Sequence, residues 1–193
     1  MEKFDVIVIG AGPGGYPAAI RAAQLGARTA IVEKELPGGT CLNWGCIPTK
    51  TLIASSEVMA HLAHAADFGV KSKGAEADYP AMIRRKNGVV EKLRTGVATL
   101  LKANGVTWLQ GTASFAARNR ISVAGPGGEQ LCEAGTIVIA TGSVSAMPGF
   151  LPKHPRVVES RTFLDRDELP KSMIVLGGGV IGCEFACMCA RLG

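Results

Sequence analysis

The sequence predicts an α/β fold resting on parallel strands, and three observations predict it. Phe4-Asp5-Val6-Ile7-Val8-Ile9 is an almost unbroken apolar run, the pattern of a strand covered on both faces. It leads through a glycine-rich turn, Gly10-Ala11-Gly12-Pro13-Gly14-Gly15, into helix-forming residues at 18–25. The same order of strand, glycine turn and helix begins again at Met173.

Each element follows in turn. Gly26 stops the first helix, and residues 28–32 give the next strand, which completes a β-α-β unit. Pro17 lies near the end of the first helical turn, where a missing N–H begins to matter, so a slight irregularity is expected there. Residues 48–66 read as helix. Residues 80–104 read as a longer one, with Met82, Ile83, Val90, Leu93, Val97, Leu100 and Leu101 near 3.6 spacing. Three short strands are expected at 106–109, around 114–115 and at 120–123, with a turn at Pro126-Gly127-Gly128; these form a small antiparallel β insertion. Residues 136–140 are another apolar strand, leading to Thr141-Gly142-Ser143, and the proline-bearing stretch 147–155 reads as a linker. The expected division is a first domain over 1–146, then a linker and the start of a second Rossmann-like domain over 147–193. The last helix is cut short at Gly193, so that second unit is expected to be unfinished.

Composition narrows the function. With 47% apolar and 19% charged residues the chain is globular and not disordered. Its 25 glycines follow no G-X-Y period, which excludes collagen. The longest uncharged run, 134–152, is broken by Gly, Thr, Ser and Pro, and Met1-Glu2-Lys3-Phe4-Asp5 lacks a basic leader, so a cytoplasmic protein without a membrane partner is expected. The net charge of +5 is spread along the chain, and its one dense cluster, Arg84-Arg85-Lys86, has no interleaved aromatic residue; a nucleic-acid partner is not expected. Six cysteines include no Cys-x-x-Cys pair, and no metal site is expected. Cys183, Cys187 and Cys189 read as small apolar fillers on a buried helix, Cys132 stands alone, and His61 and His64 read as solvated or packing residues.

Two patterns carry chemistry. In Gly10-x-Gly12-x-x-Gly15 the first glycine makes the turn, the second admits a pyrophosphate to the backbone, and the third lets helix and strand pack closely. Glu33, 18 residues beyond Gly15, ends the second strand where a ribose hydroxyl would lie, and an acid there disfavours a 2′-phosphate. Gly177-x-Gly179-x-x-Gly182 repeats the motif, so two dinucleotides are expected; the acid that would separate NAD from NADP at the second site is not among these residues. The other pattern is Cys41-Leu42-Asn43-Trp44-Gly45-Cys46. As a staple so short a loop contributes only about 2 kcal/mol, whereas an accessible pair suits electron exchange. Cys46 and Lys50 are i,i+4 neighbours, and both the ammonium and a helix N-terminus favour a thiolate.

The run Gly38-Gly39-Thr40-Cys41-Leu42-Asn43-Trp44-Gly45-Cys46-Ile47-Pro48-Thr49-Lys50 resembles the active-site segment of the flavin-dependent pyridine-nucleotide disulfide oxidoreductases. The resemblance runs over the whole chain, with residues 136–143 as a second FAD motif and the Gly177 motif where that family binds NAD. Leu42 and Ile47 make it most similar to the members that oxidise dihydrolipoyl groups in 2-oxo-acid dehydrogenase and glycine-cleavage complexes.

The resemblance implies an FAD-binding Rossmann-like domain followed by the start of an NAD-binding one. It implies that Gly10, Gly12, Gly14 and Gly15 hold the FAD pyrophosphate, Glu33 the adenosine ribose and the Ala113 backbone the adenine, while Thr141, Gly142 and Ser143 close over the cofactor. Lys34, Gly39 and Thr40 join the cofactor contacts, as do Gly177, Gly178, Gly179, Val180, Ile181, Gly182 and Glu184 at the second motif. Cys41 is implied as the interchange thiol, Cys46 as the charge-transfer thiol and Lys50 as a neighbour of the flavin, with Cys41 and Cys46 forming a redox disulfide. The implied partners are lipoyl domains and a second copy of the full-length protein. The family's basic His belongs to a His-Pro-x-x-x-Glu run near its C-terminus. His154-Pro155-Arg156-Val157-Val158-Glu159 imitates that run but precedes the second glycine motif, so His154 is rejected as the base and little dehydrogenase activity is expected of residues 1–193 alone. An NADPH-dependent disulfide or mercuric reductase, and a flavin-binding module without turnover, are the alternatives.

Overall fold

The computed structural model of the protein describes residues Met1–Gly193. They form two compact units, one of Met1–Asn43 with Glu91–Val144 and the other of Trp44–Val90 with Ser145–Gly193.

The first unit is built on a six-stranded sheet. Strand β1 (Glu2–Ile9) lies between β2 (Thr29–Glu33) and β6 (Gly128–Ile139), both parallel to it, and β3 (Thr107–Gln110) runs parallel beyond β2. On the other side β6 pairs antiparallel with β5 (Arg120–Gly125), and β5 with β4 (Thr112–Ala117), giving the order β3-β2-β1-β6-β5-β4. The antiparallel insertion is therefore continuous with the parallel sheet. Ile7 and Val8 of β1 point to opposite faces and both are fully buried, as expected of a strand covered on both sides.

Only the apolar end of β6 is evident as a strand in the sequence. Its polar first half is a strand as well, because Leu131, Cys132 and Glu133 pair with β5 while the inward Cys132 and Ala134 join Phe4, Ile7, Val32, Ile121 and Val123 in the core. The outward Glu133 carboxylate meets Arg120 Nε at 2.9 Å and Lys3 Nζ at 3.5 Å. Helix α1 (Tyr16–Gln24) has Gly15 as its N-cap, so Pro17 falls at the start of the first turn and not near its end; no intrahelical N–H bond is lost there, and the reason for an irregularity disappears.

The second unit is helical, built from α3 (Cys46–Ala63), a 3-10 turn at Ala65–Phe68, α5 (Ser160–Leu164) and α6 (Val180–Leu192), while short helix α2 (Gly39–Trp44) and α4 (Tyr79–Ala103) are divided between the units. The boundary between the units falls at Asn43/Trp44 in α2 and at Val90/Glu91 in α4. The core of the second unit joins Leu52, Tyr79, Ile83, Phe163, Leu164, Phe185 and Met188, with the Phe163 and Phe185 rings 4.8 Å apart. Burying a side chain of this size contributes about 1.5–3 kcal/mol. Lys86 is buried beside this core: its ammonium donates to the Leu164 carbonyl at 2.7 Å, and burial pushes its pKa down against the pull of Asp165. Arg85 donates to the Thr51 carbonyl at 3.0 Å.

Three expectations are corrected. Residues 173–176 form no strand. No other strand pairs with them, so they have no ladder partner, and Ile174 is 96% exposed. On α6 it is Phe185 and Met188 that are buried; Cys183 and Cys187 are exposed and Cys189 is half-buried. On α4 the buried stripe is Ile83, Val90, Val97 and Leu101, while Leu93 and Leu100 face outward.

Candidate functional site

The parallel strands β1, β2, β3 and β6 all end on one edge of the sheet, and within the first unit Gly10, Glu33 and Thr141 follow or end those strands. Gly10 follows β1 with φ +102, a conformation open only to glycine at low cost. A Cβ at Gly10 would lie 2.2 Å from the Ala140 carbonyl oxygen and 3.2 Å from Thr141 Cα. A Cβ at Gly15, the N-cap of α1, would lie 1.8 Å from the Gly10 carbonyl oxygen. The first glycine thus seats the turn against the end of β6, and the last seats the helix against the turn. Gly39, the first residue of α2, comes so near that its Cβ would stand 2.6 Å from Gly12 Cα. A Cβ at Gly12 would make ordinary contact with Gly39 Cα at 3.8 Å, and Gly14 is exposed. This leaves a backbone-lined notch at the N-terminus of α1 that suits an anion.

Glu33 is tied into the same turn. One carboxylate oxygen accepts the N–H of fully buried Ala11 at 2.8 Å and the other accepts the N–H of Glu35 at 2.8 Å. Its backbone carbonyl accepts the N–H of Gly111 at 2.9 Å, which brings Gly111-Thr112-Ala113 alongside. Lys34 is exposed, and its carbonyl accepts from Gln110 Nε2 at 3.0 Å. Thr141, Gly142 and Ser143 leave β6 exposed, with Gly142 at φ +69. Thr40 is exposed on α2.

The cysteine segment spans a helix junction. Half-buried Cys41 lies within α2, and exposed Cys46 is the first residue of α3. Between them Leu42 is buried, and Asn43 Nδ2 donates to the Pro37 and Gly39 carbonyls, both at 3.0 Å, while its buried Oδ1 has no hydrogen-bond partner. Thr49 Oγ1 donates to the Gly45 carbonyl at 2.6 Å and secures the first turn of α3. Lys50 lies one turn after Cys46, and its ammonium is 2.5 Å from Glu184 Oε1 on α6. Two residues predicted for cofactor contact therefore form an ion pair. Burial pushes the Cys132 and Cys189 thiols up, away from reactivity.

The second glycine turn is partly formed. Gly177 has φ +105, Gly179 is the N-cap of α6, and a Cβ at Gly182 would lie 2.4 Å from the Gly177 carbonyl oxygen. Gly178, Val180 and Ile181 are exposed around it, and no strand precedes it. In the rejected run, His154 Nδ1 accepts the Arg156 N–H at 3.1 Å, and Glu159 caps α5. Partial burial raises the Glu159 pKa, but hydrogen bonds from Ser145, Arg161 and Thr162 outweigh it and hold the carboxyl at about 2. The structure adds one contact with no sequence signal: the Arg161 guanidinium lies 3.7 Å from the centre of the Trp44 ring.

Comparison with known proteins accords with this geometry. The family model described as pyridine nucleotide-disulphide oxidoreductase matches residues 4–193. The dihydrolipoyl dehydrogenase of Chlamydia muridarum is 46% identical, aligning with 100% of this chain and 42% of its own length. That of Acholeplasma laidlawii is 45% identical over 96% of this chain and 56% of its own length. The mitochondrial dihydrolipoyl dehydrogenase 1 of Arabidopsis thaliana is 42% identical, covering 100% and 39%. This chain thus spans between 39% and 56% of those relatives. Among solved structures, the Cu(II) complex of the HOCl-induced flavoprotein disulfide reductase RclA from Escherichia coli superposes with a TM-score of 0.87 at 33% identity, over 100% of this chain and 41% of that one. No helix is long and apolar enough to cross a membrane.

Proposed function

The chain belongs to the pyridine nucleotide-disulphide oxidoreductase family, and from that premise we propose that it is the FAD-binding and redox-disulfide portion of a dihydrolipoyl dehydrogenase. The observation that carries the proposal is the placing of the cysteines. Cys41 is held inside a short helix, and Cys46 opens the next helix, exposed and one turn before a lysine. An exposed thiol at the start of a helix is open to thiol–disulfide exchange.

The exchange follows from that placement. A dihydrolipoyl thiolate attacks the Cys41 sulfur of the Cys41–Cys46 disulfide, and Cys46 leaves as thiolate. The second substrate thiol, losing its proton, displaces Cys41 from the mixed disulfide. The substrate departs as a cyclic disulfide, and the protein keeps both electrons as a dithiol. Reoxidation of that dithiol, with NAD as final acceptor, is the chemistry that bound FAD supplies.

The notch at Gly10, Gly12, Gly14, Gly15 and Gly39 fits a pyrophosphate, because its backbone is bare of side chains and stands at a helix N-terminus. Glu33 and the Ala113 backbone hold the adenosine end, and Thr141-Gly142-Ser143 the far side. Lys34, Thr40 and Lys50 complete the contacts. Gly177–Gly182 and Glu184 serve the nicotinamide dinucleotide. Residues 1–146 are the FAD-binding segment and 147–193 the linker and start of the NAD-binding domain. The protein works in the cytoplasm, as a homodimer, on lipoyl domains of 2-oxo-acid dehydrogenase or glycine-cleavage complexes.

A second reading, reduction of a disulfide substrate at the expense of a nicotinamide, is favoured by the solved neighbour's description as a disulfide reductase. One experiment addresses both. The FAD-loaded chain, treated with dihydrolipoamide, is expected to develop a long-wavelength thiolate–flavin band that Cys46→Ser abolishes. A band that survives Cys46→Ser overturns the role of Cys46. A Cys41–Cys46 bond that dihydrolipoamide leaves intact favours the reductase reading.

A further inference from the structure

The stack between Trp44 and Arg161 lies within the cysteine segment, and none of the roles above uses it. Trp44 is one of only four residues between Cys41 and Cys46. The Arg161 guanidinium is 3.7 Å from its ring centre, close enough for a planar cation to pin an indole.

Arg161 is itself fixed. It occupies the first turn of α5, whose N-cap Glu159 accepts the N–H groups of Arg161 and Thr162 at 2.9 Å each, Thr162 Oγ1 at 2.8 Å and Ser145 Oγ at 2.7 Å. That carboxyl stays ionised wherever thiols exchange, since it is held at about 2. The next residue along from Trp44 is Gly45, with φ −138 and ψ −111, which marks the junction between α2 and α3. Leu42 is buried, Asn43 is hydrogen-bonded to two carbonyls and the Gly45 carbonyl accepts from Thr49, so every residue between the two cysteines is held, Trp44 by the Arg161 guanidinium.

We propose that Arg161 is a positioning residue for the Cys41–Cys46 pair: by clamping Trp44 it holds the intervening segment in the shape from which the disulfide closes. The proposal rests on the redox reading of the pair given above. Closure removes two protons and two electrons from the thiols as the S–S bond forms; oxidised dithiothreitol takes them up as its own S–S bond opens. The equilibrium depends on how often the two sulfurs meet, and a segment held in shape makes them meet more often.

The test equilibrates the 193-residue chain with oxidised and reduced dithiothreitol, traps free thiols by alkylation and measures the Cys41–Cys46 bond by mass spectrometry. Arg161→Met is expected to lower the closure constant about tenfold, equal to about 30 mV for a two-electron couple. Arg161→Lys, which keeps a cation over the ring, is expected to recover most of it. Trp44→Leu is expected to match Arg161→Met, and the double variant to go no lower, because each removes the same contact. Equal closure in wild type and Arg161→Met, or additive losses in the double variant, overturns the proposal. A wild-type chain in which Cys41 and Cys46 never pair overturns the redox reading itself, a different failure from a pair that closes without regard to Arg161.

Discussion

An added methyl at Gly15 or at Gly182 would strike the carbonyl oxygen of the glycine that opens its own turn, at 1.8 Å and 2.4 Å respectively. The helix-on-turn contact is thus common to both glycine motifs. Gly10 and Gly177 differ. Gly10 donates its N–H to the Val32 carbonyl at 2.8 Å and is wedged against Ala140, whereas a Cβ at Gly177 would meet nothing within 4 Å. The motif by itself encodes a turn and the seating of a helix. The notch needs more: a strand on each side, and an acid from one of them to hold the loop.

Two substitution pairs sharpen that contrast. Trp108 on β3 reports on the first unit and Trp44 on the second, so urea unfolding of single-tryptophan variants reads each separately. The largest difference is expected between Gly10→Ala and Gly177→Ala. Both incur the strain of positive φ, about 1–3 kcal/mol, but only Gly10→Ala adds a backbone overlap of about 1–3 kcal/mol. Equal losses would mean that the wedge against Ala140 has no energetic weight. Next come Gly15→Ala, expected to destabilise by about 3 kcal/mol, and Gly182→Ala, expected to cost less at about 2 kcal/mol because its overlap is shallower. A reversal of that order would show that the second turn is the less yielding one.

The smallest effect belongs to the second unit alone. Glu159 has its folded pKa depressed to about 2 against an unfolded value of about 4.3. Its stabilising contribution is therefore complete above about pH 4.3 and is lost as pH falls through about 2. Glu159→Ala is expected to cost about 1 kcal/mol at neutral pH, as removal of an N-cap does, and to flatten the acid limb of the stability profile. An unchanged acid limb would remove Glu159 from the list of groups that hold α5.

Much of this was legible in the sequence because the interactions involved are local. Apolar runs showed β1 and β2, and the spacing from Gly15 to Glu33 brought the glycine turn and its acid to one sheet edge. What stayed hidden depends on distant partners. The apolar stretch 173–176 looks like a strand, yet without a ladder partner it is none. Helix α2 begins with a glycine at positive φ and is six residues long, too short to show a period. The pairing of Trp44 with Arg161 joins residues with no periodic relation, and Lys50 meets Glu184 from an equally distant helix. Glu33 was recognisable as the acid that ends the second strand, but its bond to the Ala11 N–H was not, since a carboxylate at a strand end carries no sign of which backbone it will tether.

That tether bears on any substitution at the end of the second strand. Removing the Glu33 carboxylate would strip the buried Ala11 amide of its acceptor, at about 1–3 kcal/mol. The same carboxylate accepts the Glu35 N–H, so one side chain braces both the glycine turn and the chain leaving β2. A variant meant to probe a ligand contact at Glu33 therefore needs a replacement acceptor for Ala11, or its effect on the ligand is confounded with a loosened turn.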